Sequence, residues 1–240
     1  MSDNKVVLYE KKGPIAYITL NRPEKINAMN GEMYDLLEEA IKDYTVNDDL
    51  RCVIITGAGG NFSSGMDLKE DAEKAAGNHH TGYGLFPAYQ ALDLCLKPII
   101  AAIDGYCVAS GFNCAVLYCD MRIASERAKF AGEPQTEFGS RQGVRRPLGL
   151  RYPMPLTQNM SLGNAFYISW AGKMLSADEV LRMGIVSEVV PHENLMERAT
   201  EIATRISQAD PLQVRRHKEF LRRYMEVPGS FAQRLVDMIR

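Results

Sequence analysis

Two glycine-centred stretches carry residues that could hold a ligand through the backbone. They are TGAGGNFSSGMDLKE (residues 56–70) and GYCVASGFNC (residues 105–114). Each follows a β-rich run and predicts free N–H groups at the start of a helix, where ligands collect in open α/β sheets. Either stretch alone also fits a tight turn that needs glycine for its geometry.

Neither stretch fits a known nucleotide motif. The dinucleotide pattern G-x-G-x-x-G and the P-loop pattern G-x-x-x-x-G-K-[ST] are both missing. The five cysteines lie in apolar segments with no C-x-x-C pair, which argues against a zinc site and a disulfide framework. We therefore expect no metal and no separate cofactor.

Composition limits the partners of the chain. A formal net charge of −2 over 240 residues supplies no long-range field for nucleic acid or an anionic membrane. The amino terminus lacks the apolar core of a signal peptide, and no apolar run is long enough to span a bilayer. We expect a cytoplasmic protein that binds neither nucleic acid nor membrane.

The elements that position the turns are strands alternating with helices. Residues 33–44 place apolar side chains at helical spacing on one face. This alternation predicts an α/β fold with largely parallel pairing. The β-rich runs are AYITL (16–20), RCVIIT (51–56), PIIAAI (98–103) and MRIAS (121–125).

The carboxyl end reads as helical. After about residue 160 the strand pattern fades except at GIVSEVV (184–190). Residues 194–208 and 211–227 have helical patterns, and the second carries a dense basic face that fits a solvated surface or an interface. We predict an α/β core over 1–190 and a helical subregion over 191–240, within one domain.

Five ordered blocks together resemble the enoyl-CoA hydratase/isomerase (crotonase) superfamily. The resemblance runs from about residue 6 to 225. The blocks are LNRPEKINAM (20–29), TGAGGNFSSGMDLKE (56–70), KPIIAAIDGYCVASGF (97–112), CDMRIASERAKF (119–130) and LSADEVLRMGIVSEVVP (175–191).

The resemblance implies a spiral of β-β-α units with carboxyl-terminal helices, assembled as a homotrimer or homohexamer that acts on acyl-CoA. In this family two backbone N–H groups hold the thioester oxygen and stabilise an enolate. By motif match the first falls on Met66. The second falls on Gly111 or on Ser110, because the stretch from Gly105 to Asp120 is one residue longer than the usual GYALGGGCE-type stretch.

The resemblance also implies contacts with the substrate. Lysines at such positions also fit solvated surface charges, and an acidic residue entering a helix can cap its N–H groups, so we interpret Asp67 as structural. The positions that match substrate contacts are Lys25, Ile26, Ala28, Asp67, Leu68 and Lys69.

The chain departs from the family at its two water-handling glutamates. The first position is Asn113 or Cys114, and the second is Gln135, with Glu133 and Glu137 as neighbours. An amide cannot take a proton, so efficient hydration by the two-carboxylate route is not expected. The following loop, residues 139–163, is longer than usual. Its Arg145 and Arg146 fit either capture of a phosphate or carboxylate or a solvated loop.

The sequence predicts three alternative functions. The first is an enoyl-CoA isomerase or hydratase type of enzyme, with isomerisation through Glu137 or Glu133 favoured over hydration. The second is decarboxylation or C–C hydrolysis of a β-dicarbonyl substrate, which makes the enolate without a proton-abstracting base. The third is a non-catalytic acyl-CoA or partner-binding protein.

Overall fold

The structure is a computed structural model that describes residues 5–67, 69–70, 85–132 and 159–225. Its strands are β1 (Val7–Lys12), β2 (Ile15–Leu20), β3 (Cys52–Gly57), β4 (Ile99–Ile103), β5 (Tyr106–Val108), β6 (Met121–Ser125), β7 (Lys129–Ala131), β8 (Leu175–Ser176) and β9 (Glu188–Val190). Its helices are α1 (Gly31–Val46), α2 (Leu85–Leu94), α3 (Ser110–Phe112, continued as a π-helix over Asn113–Tyr118), α4 (Leu162–Ala171), α5 (Ala177–Arg182), α6 (Leu195–Ser207) and α7 (Pro211–Met225). In these ranges no helix combines the length and apolar character needed to cross a bilayer.

A six-stranded sheet forms the centre of the fold, in the order β1-β2-β3-β4-β6-β9. The β1 and β2 strands pair antiparallel, and the remaining neighbours pair parallel. A second sheet of three short strands has the order β5-β7-β8. The chain therefore passes from the main sheet into the small sheet at Gly105, between β4 and β5, and the second glycine turn follows β5.

The main sheet is buried on both faces, which explains its apolar strands. Neighbouring residues of a strand point to opposite faces. In β4, Ile99 and Ala101 join a large core that includes α1 and α2, whereas Ile100 and Ala102 join a smaller core under α6. Strands covered on both sides become continuous apolar runs, as PIIAAI does.

The last helix attaches to the body through charged side chains. Lys218 donates to Asp120 at 2.7 Å, and Arg215 pairs with Asp48 at 3.1 Å. Basic side chains of α7 thus pack against the body of the chain, which neither of the two sequence interpretations, a solvated surface or an interface, had included. The opposite face exposes the apolar side chains of Leu212, Phe220 and Leu221.

Most predicted elements are present, with one boundary corrected. The helix predicted over 33–44 lies within α1, and four of the predicted strands are β2, β3, β4 and β6. The strand expected over 184–190 covers only Glu188–Val190. Its first residues instead close α5, since Gly184 donates to Leu181 and Ile185 donates to the Val180 carbonyl. This is the glycine-ended helix cap, with Gly184 at a φ of +72°.

Candidate active site

The two glycine turns are joined by backbone pairing. After β3 the chain turns and runs alongside β5, where Ser63 N–H donates to the Tyr106 carbonyl at 2.7 Å. In return, Val108 N–H donates to the Ser63 carbonyl at 2.9 Å. Because these residues come directly before each turn, the pairing sets Gly65 beside Ala109.

Contact between the turns is tight enough to require glycine. A Cβ added at Gly65 would lie 2.8 Å from the Ala109 Cβ and 3.4 Å from the Ser110 nitrogen. A Cβ at Gly111 would lie 2.7 Å from the Ser63 Cβ. Gly65 also has a φ of +98°, which favours glycine. The absence of two side chains is what lets the turns approach.

The second turn carries backbone strain at a residue that is not glycine. Ala109 has a φ of 48° and a ψ of −116°, a conformation that costs an L-residue of the order of 1–3 kcal/mol. Directly after it, α3 begins at Ser110, whose carbonyl accepts a hydrogen bond from the buried Tyr89 hydroxyl at 2.8 Å. The start of α3 is therefore held in place by its neighbours.

Three N–H groups of the turns have no acceptor among the residues that the structure describes. Within the described residues, the N–H groups of Met66, Ser110 and Gly111 donate no hydrogen bond. Gly111 lies in the first turn of α3, where the helix dipole favours negative charge. The turns therefore offer backbone donors from two directions, an arrangement able to stabilise an oxyanion.

The segment around Lys25 is built into the same region. Ser64 N–H donates to the Ile26 carbonyl at 2.9 Å, and Met29 N–H donates to the Gly65 carbonyl at 2.7 Å. The Ser63 hydroxyl donates to the Asn27 carbonyl and accepts from Gly65 N–H. The structure thus brings the predicted contacts Lys25, Ile26 and Ala28 beside the first turn.

A buried carboxylate connects these segments. Asp67 accepts from Arg22 at 2.9 Å and from the exposed Lys25 at 3.2 Å. It also accepts from Glu70 N–H at 3.4 Å, as a residue at the start of a helix does. Burial raises the pKa of the Asp67 carboxyl, but the hydrogen bonds from Arg22 and Lys25 outweigh it, so the pKa lies below its usual value. Its partners are those of a structural anion.

Comparison with known proteins identifies the family of this chain. Residues 10–238 match the family described as enoyl-CoA hydratase/isomerase. The chain belongs to this family. It is 33% identical over 231 residues to a short-chain-enoyl-CoA hydratase of Clostridium acetobutylicum, covering 94% of this chain and 84% of that protein.

Solved structures of the same enoyl-CoA hydratase/isomerase family share the fold. An enoyl-CoA hydratase/carnithine racemase from Magnetospirillum magneticum superposes with a TM-score of 0.81 at 29% identity, covering 98% of this chain and 86% of that one. A monofunctional enoyl CoA isomerase from M. smegmatis gives 0.76 at 30% identity, covering 95% and 97%. The predicted family and the α/β fold with carboxyl-terminal helices are confirmed.

The helix α3 ends in a π-helical part. A π-helix takes one more residue per hydrogen-bonded turn than an α-helix, and the π-helical part spans Asn113–Tyr118. The sequence places the extra residue either before or after Asn113, so Asn113 and Cys114 both stay predictions for the first glutamate position. Cys114 is fully buried, and its carbonyl accepts from the Cys119 thiol.

Other predicted site residues lie outside the described residues. Lys69 lies two residues beyond Asp67 and is exposed. All five cysteines are buried and free, in line with their interpretation as small core residues. The residues outside the described ranges are Leu68, Glu133, Gln135, Glu137, Arg145 and Arg146.

Sequence reasoning missed a second buried carboxylate at this edge of the sheet. Asp104 accepts from Ser125 at 2.6 Å, from Arg127 at 2.6 Å and 2.8 Å, and from His192 at 2.8 Å. Burial raises its pKa, but the Arg127 and Ser125 hydrogen bonds outweigh this and lower the pKa overall. The only sequence feature that could have pointed to Asp104 is its position between an apolar strand and Gly105.

Proposed function

We propose that this chain holds the oxygen of an acyl-CoA thioester between the N–H groups of Met66 and Gly111 and stabilises the enolate that forms from it. Family membership makes acyl-CoA the substrate class. CoA enters as part of the substrate, and the exposed Lys25 and Lys69 are proposed to contact its phosphates.

One observation carries this proposal. The two turns touch at Gly65 and Ala109, and each carries an N–H group that no acceptor in the described residues uses. Donors fixed in this way need no rearrangement when charge develops on the oxygen, and one such donor is typically worth about 10²–10³ in rate. Because they are backbone groups, they do not depend on the missing glutamates.

The reaction that suits the residues best is isomerisation. It needs one base, which removes a proton from C2 of a 3-enoyl thioester and returns a proton to C4 while the double bond moves to C2. Hydration needs a second group to orient water, and the Asn113 amide cannot exchange a proton in that role. We propose Glu137 as the base, with Glu133 as the alternative.

Turnover of two thioesters tests this function. The parent should convert a 3-enoyl-CoA to its 2-enoyl isomer and hydrate crotonyl-CoA slowly, because an absent acid/base group costs about 10²–10⁴. Glu137→Gln should abolish the isomerisation, and Glu133→Gln serves as the matched control. Fast hydration that neither substitution reduces would contradict the assignment.

Decarboxylation is the second candidate, and the amide at position 113 favours it. Loss of carbon dioxide from a 2-carboxyacyl thioester leaves the electron pair on C2 as the enolate, so no proton-abstracting base is required. Asn113 and Ser110, in the first turn of α3, are neutral and buried. Release of carbon dioxide from malonyl-CoA or methylmalonyl-CoA, with no isomerisation, would select this function.

Assembly into a homotrimer or homohexamer is also proposed. The exposed apolar side chains of α7, which are Leu212, Phe220 and Leu221, support it, because an interface between copies would bury them. Light scattering should give a multiple of 26.8 kDa. A monomer at micromolar concentration would contradict this proposal.

A further inference from the structure

The hydroxyl of Ser110 is buried without a partner. Ser110 is fully buried, and its Oγ makes no hydrogen bond within the residues that the structure describes. A buried polar group that stays unpaired is destabilising, so nearly all such groups in native proteins have a partner. A water molecule or a ligand is needed to satisfy it.

Ser110 is also held rigidly. Its carbonyl accepts a hydrogen bond from the Tyr89 hydroxyl, and the residue before it, Ala109, has a strained backbone. The serine opens a continuous helix that runs to Tyr118. Strain and an orphaned polar group at adjacent residues are typical of sites that bind a ligand.

A second polar side chain lies on the same face of this helix. Asn113 is three residues further, which makes it a neighbour of Ser110 on the helix surface. It is 7% exposed, and within the described residues its amide makes no side-chain hydrogen bond. Gly111, whose N–H is proposed to hold the thioester oxygen, lies between them. The pair therefore lies within one helical turn of the reacting carbonyl.

Resting on the proposed function, we propose that Ser110 and Asn113 form a subsite for an oxygen on the acyl group, close to the thioester. The hydroxyl and the amide N–H both donate, and the first turn of a helix favours an acceptor that carries negative charge. The shared chemistry is a hydrogen-bond-accepting oxygen on C2 or C3, either of a carboxylate or of a keto group. The chain thus selects oxygenated acyl groups over plain alkyl ones.

Calorimetry with three CoA thioesters tests the subsite. Butyryl-CoA has no such oxygen, acetoacetyl-CoA has a keto oxygen, and malonyl-CoA has a carboxylate. The parent should bind one or both oxygenated thioesters more tightly than butyryl-CoA. Ser110→Ala should weaken that binding about five- to tenfold and leave butyryl-CoA unchanged, since one hydrogen bond is lost. Asn113→Leu should act in the same direction. A larger loss for malonyl-CoA identifies the carboxylate, and a larger loss for acetoacetyl-CoA identifies the keto group.

The stability of the variant gives an independent readout. Because the Ser110 hydroxyl is unpaired, Ser110→Ala should leave the midpoint of thermal unfolding unchanged or raise it. The matched control is Ser125→Ala, which removes an equally buried hydroxyl that donates to Asp104 at 2.6 Å. It should lower the midpoint and leave the ratio of thioester affinities unchanged.

Several results would overturn the inference. A parent that binds butyryl-CoA as tightly as the other two thioesters has no oxygen subsite, although the proposed function stands. A midpoint lowered by Ser110→Ala as much as by Ser125→Ala shows that the hydroxyl already has a partner. If the parent binds none of the three thioesters, the proposed function is contradicted as well.

Discussion

Gly65→Ala is the sharpest perturbation of the proposed oxyanion site. The new Cβ would lie 2.8 Å from the Ala109 Cβ and 3.1 Å from the Val108 carbonyl oxygen. Non-bonded carbons normally lie about 3.5–4.0 Å apart. Neither neighbour is the flexible end of a long side chain, so the turns themselves have to separate.

The expected magnitudes follow from this contact. Separation by roughly 1 Å would restore ordinary carbon–carbon distances. A displacement of that size at a reacting centre costs about 10²-fold in rate, and complete loss of one oxyanion donor costs about 10²–10³. The φ of +98° adds backbone strain, which lowers the free energy of unfolding by about 1–3 kcal/mol.

The assay compares this variant with Gly13→Ala. Gly13 also has a positive φ, of +58°, but a Cβ there meets nothing within 4 Å. Urea unfolding should show both variants destabilised, whereas kcat/KM for the preferred thioester should fall only in Gly65→Ala. Equal rates in the two variants would refute the idea that contact between the turns sets the geometry of the site.

Three further predictions concern residues around the site and the last helix. Ala109→Gly removes the backbone strain and should raise the free energy of unfolding by about 1 kcal/mol in urea titrations; a decrease would mean that the alanine side chain contributes more by packing than it costs. The pKa of Asp67 is lowered in the fold, so its contribution to stability is complete above its unfolded pKa of about 3.9 and is lost as pH falls toward the lower folded value. The free energy of unfolding of Asp67→Asn should therefore be lower than that of the parent at pH 7, and the two values should converge below about pH 4. A difference that stays the same at every pH would contradict this. Asp120→Asn removes the ion-pair partner of Lys218 and should speed amide hydrogen exchange in α7 while leaving β3 protected, and unchanged exchange in α7 would show that other contacts hold the helix.

The parts of the fold that the sequence predicts are those set by local pattern. PIIAAI is apolar at every position because β4 is covered on both faces, so its burial and its parallel pairing could be inferred together. The glycine turns could be placed because each follows such a strand. The family motif predicts Met66 and either Gly111 or Ser110 as the residues whose N–H groups hold the thioester oxygen. The structure puts the two turns that carry them in contact.

The parts that could not be predicted depend on residues far apart in the chain. Arg22 and Asp67 are 45 residues apart, and nothing in either segment alone indicates that they pair. The strained backbone of Ala109 and the unpaired Ser110 hydroxyl result from neighbours on other elements. The sequence also leaves open whether the extra residue lies before or after Asn113, because both placements give the same string of letters.

The first turn of α3 and its π-helical end have different roles. The first turn must keep its position beside the site, whereas the far end packs against the core. The first turn is fixed by Ser63, Ala109 and Tyr89, whereas the part over Asn113–Tyr118 is π-helical, a form that can absorb an added residue. A lineage can therefore lengthen this helix and repack its far end against the core without moving the groups that face the substrate. Insertions between Asn113 and Cys119 should be tolerated among relatives, and insertions between Gly105 and Gly111 should be rare.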